Sequence, residues 1–526
     1  MDEIKELKRP FINLFFKAFL LLILSCIALQ ASGQEPAKGK KEKRKVELIH
    51  ADTYKPDDVL GRELVKSLGN VAFKHNEIIM TCDSSWFYPG KDQIKAFSRV
   101  HVEQGDTLDI YGDYLFYDGS SEMAFLEGNV LLIDKETRLY TSSVDYDVKN
   151  KVARYTNNGR ITDGDNTLTS KLGTYHTDQK MFNFKDSIVI VNKDYVMRAD
   201  TMDYNTETET VFFRGPAEVK GDSLYVYCEA GWHDTKNDIS RIWKNAVIDN
   251  LQQIIKGDSL YYEGKDGMGE AFFNVSITDT TNDVTVTGEY ARYFKDPERF
   301  MVTRKATFIQ SSKEDSLFMH SDTISVITVT IPETDTTTLS YRIMRSWHNC
   351  RVFSTDLQAK CDSLSYSFRD SVIRLYYEPV IWSENNQLTS DSMAIFTRNR
   401  SAERMELYNK AFVTSMVDSA RYDQIKGRNL TGYFRENKLH RIVVEGNGES
   451  IYHLTDKEML VGVTHNKSSS IEIFIEEGKI TEIIEHQNPD GKLDPPLLNP
   501  PDKMRLPGFS WQDNLRPKEV KDIYRK

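Results

Sequence analysis

The chain has 526 residues, of which 39% are hydrophobic and 28% charged, with a formal net charge of -11. That balance is too apolar for disorder along the whole length, too polar for a bundle of membrane helices, and too acidic for a general nucleic-acid binder. The aromatic residues are 26 Tyr and 26 Phe against 6 Trp, a mix suited to pleated, half-buried surfaces.

The first 33 residues read as an export signal. Lys5, Lys8, Arg9 and Lys17 precede an apolar run over residues 18–29, and Ala31 and Gly33 give a small-x-small cleavage site that leaves Gln34 as the mature start. Two alternatives stay open. The segment would act as a membrane anchor if uncleaved, and Ile23, Leu24, Ser25 and Cys26 form a lipoprotein-type box in which Cys26 would be acylated. A basic leader follows over residues 34–45 and reads as a solvated stretch.

From residue 46 a unit of about 29 residues repeats, in about a dozen copies. One column is a small residue, then an acidic one, then an aromatic four places on. Cys82 and Asp83 lead to Phe87, Gly112 and Asp113 to Tyr117, Ala199 and Asp200 to Tyr204, and Gly257 and Asp258 to Tyr262. From Phe87 through Tyr117, Tyr146, Tyr175, Tyr204, His233 and Tyr262 to Tyr293 the steps are 30, 29, 29, 29, 29, 29 and 31 residues.

A second column opens at a turn rich in Gly and Asn and runs on as an alternating strand. Its members are Val71 and Phe73, Val100 and Val102, Val130 and Leu132, Ile188 and Ile190, Ala217 and Val219, Ala246 and Ile248, Val275 and Ile277, Ala306 and Phe308, Val380 and Trp382, and Ala411 and Val413. Alternation puts these side chains on one face of a sheet, with His101, Glu218, Ser276 and Thr307 on the other. A third apolar segment, such as Ile94 to Phe97 or Met123 to Leu126, lies between the two columns. Each unit is therefore expected to hold three short strands, and no helix of useful length is expected.

The first repeat block spans residues 46–310. An irregular Thr-rich insertion is expected over 311–344, a second block over 345–485, and a Pro-rich extended tail over 486–526. Strands about 4.8 Å apart give a ladder whose end strands are unpaired templates for adding another chain.

The chemistry-bearing residues mostly fall into the repeat. Cys82, Cys228 and Cys361 fill the small-residue slot, while Cys350 lies 11 residues before Cys361 and leaves one disulfide open in an oxidising compartment. His233 stands in the aromatic column. The other histidines lack metal-ligand spacing, and no hydrolase, zincin or phosphate-loop motif is present. The acidic column (Asp83, Asp113, Asp200, Glu229, Asp258, Glu289, Asp362, Asp391) recurs once per unit, as a turn or strand-edge position does. No enzyme, cofactor or metal is expected.

The Gly-Asn-Val turn-strand at residues 68–71 and 126–130, with the small-Asp-x-Leu-x-Tyr strand at 112–117 and 257–262, resembles the OstA/LptA family of periplasmic lipopolysaccharide transport. The resemblance covers residues 46–310 well and 345–485 more loosely. It implies an all-β, elongated jellyroll, solenoid-like, with a V-shaped or open groove for lipid acyl chains. It also implies a periplasmic location near the inner or outer membrane. The partners it implies are lipopolysaccharide or a related glycolipid, other transport components stacked edge to edge, and further copies of the chain.

On this reading the groove-facing residues are Val71, Phe73, Val100, Val102, Val130, Leu132, Ile188, Ile190, Val219, Ile248, Val275 and Ile277. The same side chains would serve equally to fill the closed core of a structural or adhesive surface solenoid. An enzyme on a repeat scaffold, such as a polysaccharide lyase, would need carboxylates or bases projecting out of register, and none is seen.

Overall fold

A computed structural model describes residues 45–525, apart from 106–107, 164–165, 312–315, 333–337, 399–400, 436–437, 457–458, 477–478 and 496–503. The export segment, the Cys26 box and nearly all of the basic leader lie outside the described residues. No helix among the described residues is long and apolar enough to cross a membrane.

Alternating sequence forms strands throughout, and successive strands pair antiparallel with their chain neighbours in one continuous sheet. Each unit supplies two long strands, such as Ile78–Tyr88 with Gln93–Gln104, and Leu108–Asp118 with Met123–Asp134. Three short strands per unit were expected. The expected second-column and third segments are the two halves of one strand: Ile94 to Phe97 and Val100 to Val102 both lie in Gln93–Gln104. Between them Ser98 and Arg99 are left-handed (φ 62° and 47°), and the pairing register shifts there by a bulge. Two left-handed residues turn the chain through a corner without ending the ladder, so a break in the sequence pattern is a bend in the structure. Each unit then advances the stack by roughly two strand spacings, about 10 Å.

The bend divides the sheet into two arms that meet at the corners and face each other across a shared interior. One arm carries tip turns such as residues 75–78 and 134–137, the other 88–93 and 118–123. Inward side chains of both arms form one hydrophobic core cluster that runs from Val46 to Ile473.

The stretch 311–344 also differs from expectation. Leu317–Pro332 pairs with Glu298–Gln310 on one side and with Thr338–Phe353 on the other. The alternation of Ile324, Val326, Thr328 and Thr330 with their neighbours builds a long hairpin, so the ladder passes through without a boundary.

In the second block the corner at Tyr377 and Glu378 (φ 64° and 52°) is followed by Pro379, which takes the buried slot that Val71 and Val100 fill at their corners, so the inward positions are 379 and 381. Ile381, not Val380 or Trp382, joins the main core. Trp382 is fully buried on the opposite face, where its indole N–H donates to Gln387 Oε1 at 3.2 Å.

That outer face is covered by residues 504–525, which run back across it as a strap. Gln424 Nε2 donates to the Met504 carbonyl (2.8 Å) while its Oε1 accepts from the Leu506 N–H (2.8 Å). Gln387 repeats this clamp with the Ser510 carbonyl (2.6 Å) and the Gln512 N–H (2.7 Å), and Gln358 Oε1 accepts from Arg516 Nε (2.7 Å). Leu506 packs with Phe412, Ile451 and Val463. The strap ends in two short 3-10 helices, Asp513–Leu515 and Val520–Tyr524, with Tyr524 against Thr307 and His320.

Candidate functional site

The acidic column is engaged at the corners. The Asn129 amide donates to Asp113 (2.8 Å), Asn245 to Glu229 (2.7 Å) and Asn274 to Asp258 (3.0 Å), each 16 residues apart. Ser98 and Arg99 hold Asp83, and the Arg99 guanidinium draws the Asp83 carboxyl below its ordinary range. Lys410 reaches Asp391 at 3.0 Å. Corner residues sit left-handed, and the carboxylate on the preceding strand satisfies their side-chain donors. These acids therefore fasten the bend.

The four described cysteines, Cys82, Cys228, Cys350 and Cys361, are buried free thiols. Cys350 and Cys361 oppose each other directly in the ladder, without a bond between them. Burial pushes the Cys82 thiol up to about 11 and the Cys228 thiol up to about 12.

All twelve sequence-predicted groove residues belong to the interior or pack against it. Nine are fully enclosed: Val71, Phe73, Val100, Val102, Val130, Leu132, Ile188, Ile190 and Val275. Val219, Ile248 and Ile277 are only partly buried. The difference follows position along the stack.

From residue 61 to about 184 the two arms pack against each other from corner to tip. Ile78, Ile94, Ile110, Leu115, Phe182 and Phe184 are all at most 1% exposed. Tip meets tip through hydrogen bonds across the interior. Tyr117 Oη lies 2.6 Å from His75 Nδ1, Tyr146 Oη donates to Gln104 Oε1, and Tyr175 Oη donates to Asp134 Oδ2 at 2.6 Å. Lys180 Nζ adds a 2.7 Å ion pair to Asp134. Burial pushes all three phenols up, Tyr146 to about 12.

Between residues 195 and 317 the corners stay packed but the tips part. Next to the bends, Ala246, Leu260, Val275, Val302 and Ala306 remain buried. One step toward the tips, Val219, Val226, Ile248, Ile255, Ile277 and Phe308 are partly open, while Val286 between the last two stays buried. On the facing arm Tyr262 and Tyr293 are each 39% exposed, where Tyr117 and Tyr146 in the same column are wholly enclosed. The result is a V with an apolar floor and apolar walls, open along its mouth.

Sequence reasoning marked Val219, Ile248 and Ile277 but missed their partners Val226, Ile255 and Val286, the last of which is buried. These lead the strands that pair with Ala217–Gly221, Ile239–Asp249 and Met268–Asp279 (Val226↔Val219, Ile255↔Ile248, Val286↔Ile277). The available signal was the apolar residue two or three places before each small-acidic pair, as in Val226 before Cys228.

Residues 43–200 match the family model described as OstA-like protein, so this segment is OstA-like. No curated protein sequence matches the chain. Among solved structures, the chain is similar to LptH of Pseudomonas aeruginosa, described as the LptA-homologous periplasmic component of its lipopolysaccharide transport device. That similarity is at 16% identity, covers 20% of this chain and 79% of LptH, and has a TM-score of 0.18.

Proposed function

We propose that this chain, OstA-like over residues 43–200, is a non-enzymatic lipid carrier of the lipopolysaccharide-transport type, holding acyl chains between its two arms. The observation that carries this is the open stretch between residues 195 and 317, where a packed floor of Ala246, Val275 and Ala306 lies beneath half-exposed Val219, Ile248 and Ile277. Half-exposed apolar walls in a concave site gain free energy when an acyl chain displaces water, about 25 cal/mol for each Å² covered. Moving a lipid along such a trough needs no bond making or breaking.

The export segment of residues 1–33 would deliver the chain to the periplasm, near the inner or outer membrane. Its ligand is then lipopolysaccharide or a related glycolipid. Other transport components, or further copies, would add at the end strands, Glu47–His50 and Thr53–Asp57 at one end and Lys479–His486 at the other.

Photo-reactive residues at Val219, Ile248 and Ile277 test the reading, with purified lipopolysaccharide as the probe. Lipid adducts are expected at all three. Adducts confined to the outward Glu218, or lipid-free protein on native purification and no adduct anywhere, would overturn it.

A further inference from the structure

The interior is apolar along most of the stack, yet only part of it is open. We infer that three pairs, Tyr117 with His75, Tyr146 with Gln104 and Tyr175 with Asp134, latch the first third of the jellyroll shut and make lipid enter sideways, through the mouth between residues 195 and 317. This rests on the lipid-carrier reading and adds where along the chain the lipid can go.

The pairs are one device repeated. In each, a tyrosine near the tip of one arm meets the last residue of a strand on the other arm, 42, 42 and 41 residues earlier. His75, Gln104 and Asp134 end the strands Gly61–His75, Gln93–Gln104 and Met123–Asp134. Two of the pairs are enclosed on both sides, with Tyr117 at 0% exposed, Tyr175 at 1%, and His75 and Asp134 at 3%; in the third, Tyr146 is 0% exposed and Gln104 is half-buried. A phenol and its partner inside an apolar interior hold each other in place, because parting the arms would strand both.

An aromatic plug stands at the inner end of the latched section. Tyr175 stacks on Phe182 at 4.0 Å, and Phe182 on Phe184 at 5.3 Å, all at most 1% exposed. Further along the stack, at Tyr262, the device lapses. The strand Ala217–Gly221 ends in Gly221, 41 residues before Tyr262, and a glycine has no side chain to offer. Tyr262 is exposed accordingly. The column residue is the same tyrosine in both sections, so the strand-end residue opposite it decides whether the mouth is shut.

The experiment uses the full chain with purified lipopolysaccharide and a photo-reactive residue at either Ile248 or Leu132. The expected result is an adduct at Ile248 and none at Leu132 in the otherwise unaltered chain. In the triple variant Tyr117→Phe, Tyr146→Phe, Tyr175→Phe, an adduct at Leu132 should appear. Equal adducts at both positions without the triple change would overturn the latch while leaving the carrier reading in place. No adduct at Ile248 would instead overturn the carrier reading. Should the triple variant fail to fold, hydrogen exchange on the unaltered chain decides. Added lipid should slow exchange in Ile239–Asp249 and Met268–Asp279 and leave Gln93–Gln104 and Met123–Asp134 unchanged. Slowing in all four strands would overturn the latch.

Discussion

Asn129 donates its side-chain amide to Asp113 at 2.8 Å while its own backbone is left-handed, with φ at 45°. Gly128 before it is left-handed too, at 81°, and a Cβ there would meet the Asp113 carboxylate at 2.7 Å. The Gly-Asn pair is therefore matched to the corner twice, by backbone conformation and by the hydrogen bond. Asn129→Gly keeps the left-handed φ at no steric cost but loses the bond to Asp113, so it should lower local stability by only about 0.5–1 kcal/mol. Asn129→Val should lower it by roughly 1–3 kcal/mol, the usual cost of a strained non-glycine backbone. Amide exchange across Met123–Asp134 would report the difference, and equal behaviour of the two variants would contradict the corner's role.

The same pair shows what sequence could and could not reveal. The corner was legible because left-handed backbone selects Gly and Asn, and the strands were legible because alternation has a period of two. That Gln93–Gln104 is one bent strand was not, since Ser98 and Arg99 interrupt the apolar pattern without interrupting the ladder. Nor was the contrast between Val102, enclosed, and Ile248, half-open. Both occupy the same slot in the same column, and what separates them is whether a residue 41 or 42 positions away bridges the tips. The glutamine clamps on the strap were invisible for a similar reason. Gln387 and Gln424 alternate outward as surface residues should, and the segment that covers them lies about 80 to 125 residues further on.

The thiols carry a second prediction. Burial raises Cys82 and Cys228, and Cys350 is raised by its Cys361 partner and then by burial. A raised value leaves little thiolate at neutral pH, and the thiolate is the nucleophile. Iodoacetamide at pH 7.5 should therefore leave Cys82, Cys228 and Cys350 unlabelled in the folded protein and label them after denaturation. Labelling of Cys82 should climb only as pH approaches about 11. Mass spectrometry of the modified peptides is the readout, and rapid labelling at neutral pH would count against the enclosed interior.

The strap gives a third. Gln424 is fully buried and makes two hydrogen bonds to the strap backbone. Each such bond is worth about 1 kcal/mol net, so Gln424→Ala should loosen the strap by about 2 kcal/mol. The effect should stay local, because repeat units feel chiefly their neighbours. Faster hydrogen exchange is expected over residues 504–512, with no change in Leu108–Asp118. A uniform loss of protection along the chain would instead mean that the strap supports the whole stack.

The last prediction concerns acid. His320 sits under the far end of the strap, its ring 4.9 Å from that of Tyr524, and its Nδ1 lies 2.9 Å from the Ala306 carbonyl. Burial lowers its pKa, while the Ala306 carbonyl and Asp322 act in the opposite sense and Arg351 adds to the lowering. The folded value is thus below the unfolded one, near 6.5. Above that value His320 is neutral in both states and pH has no leverage through it. As pH falls below about 6.5, the released state takes up the proton first, so acid favours release until the folded value is passed. Once the base-catalysed pH dependence of amide exchange itself is divided out, exchange over residues 520–525 should therefore quicken between pH 7.5 and 5.5, while exchange at the Gln424 clamp stays flat. His320→Phe keeps a ring under Tyr524 and removes the proton, so it should abolish the quickening. If it persists in that variant, the strap's response to acid arises elsewhere.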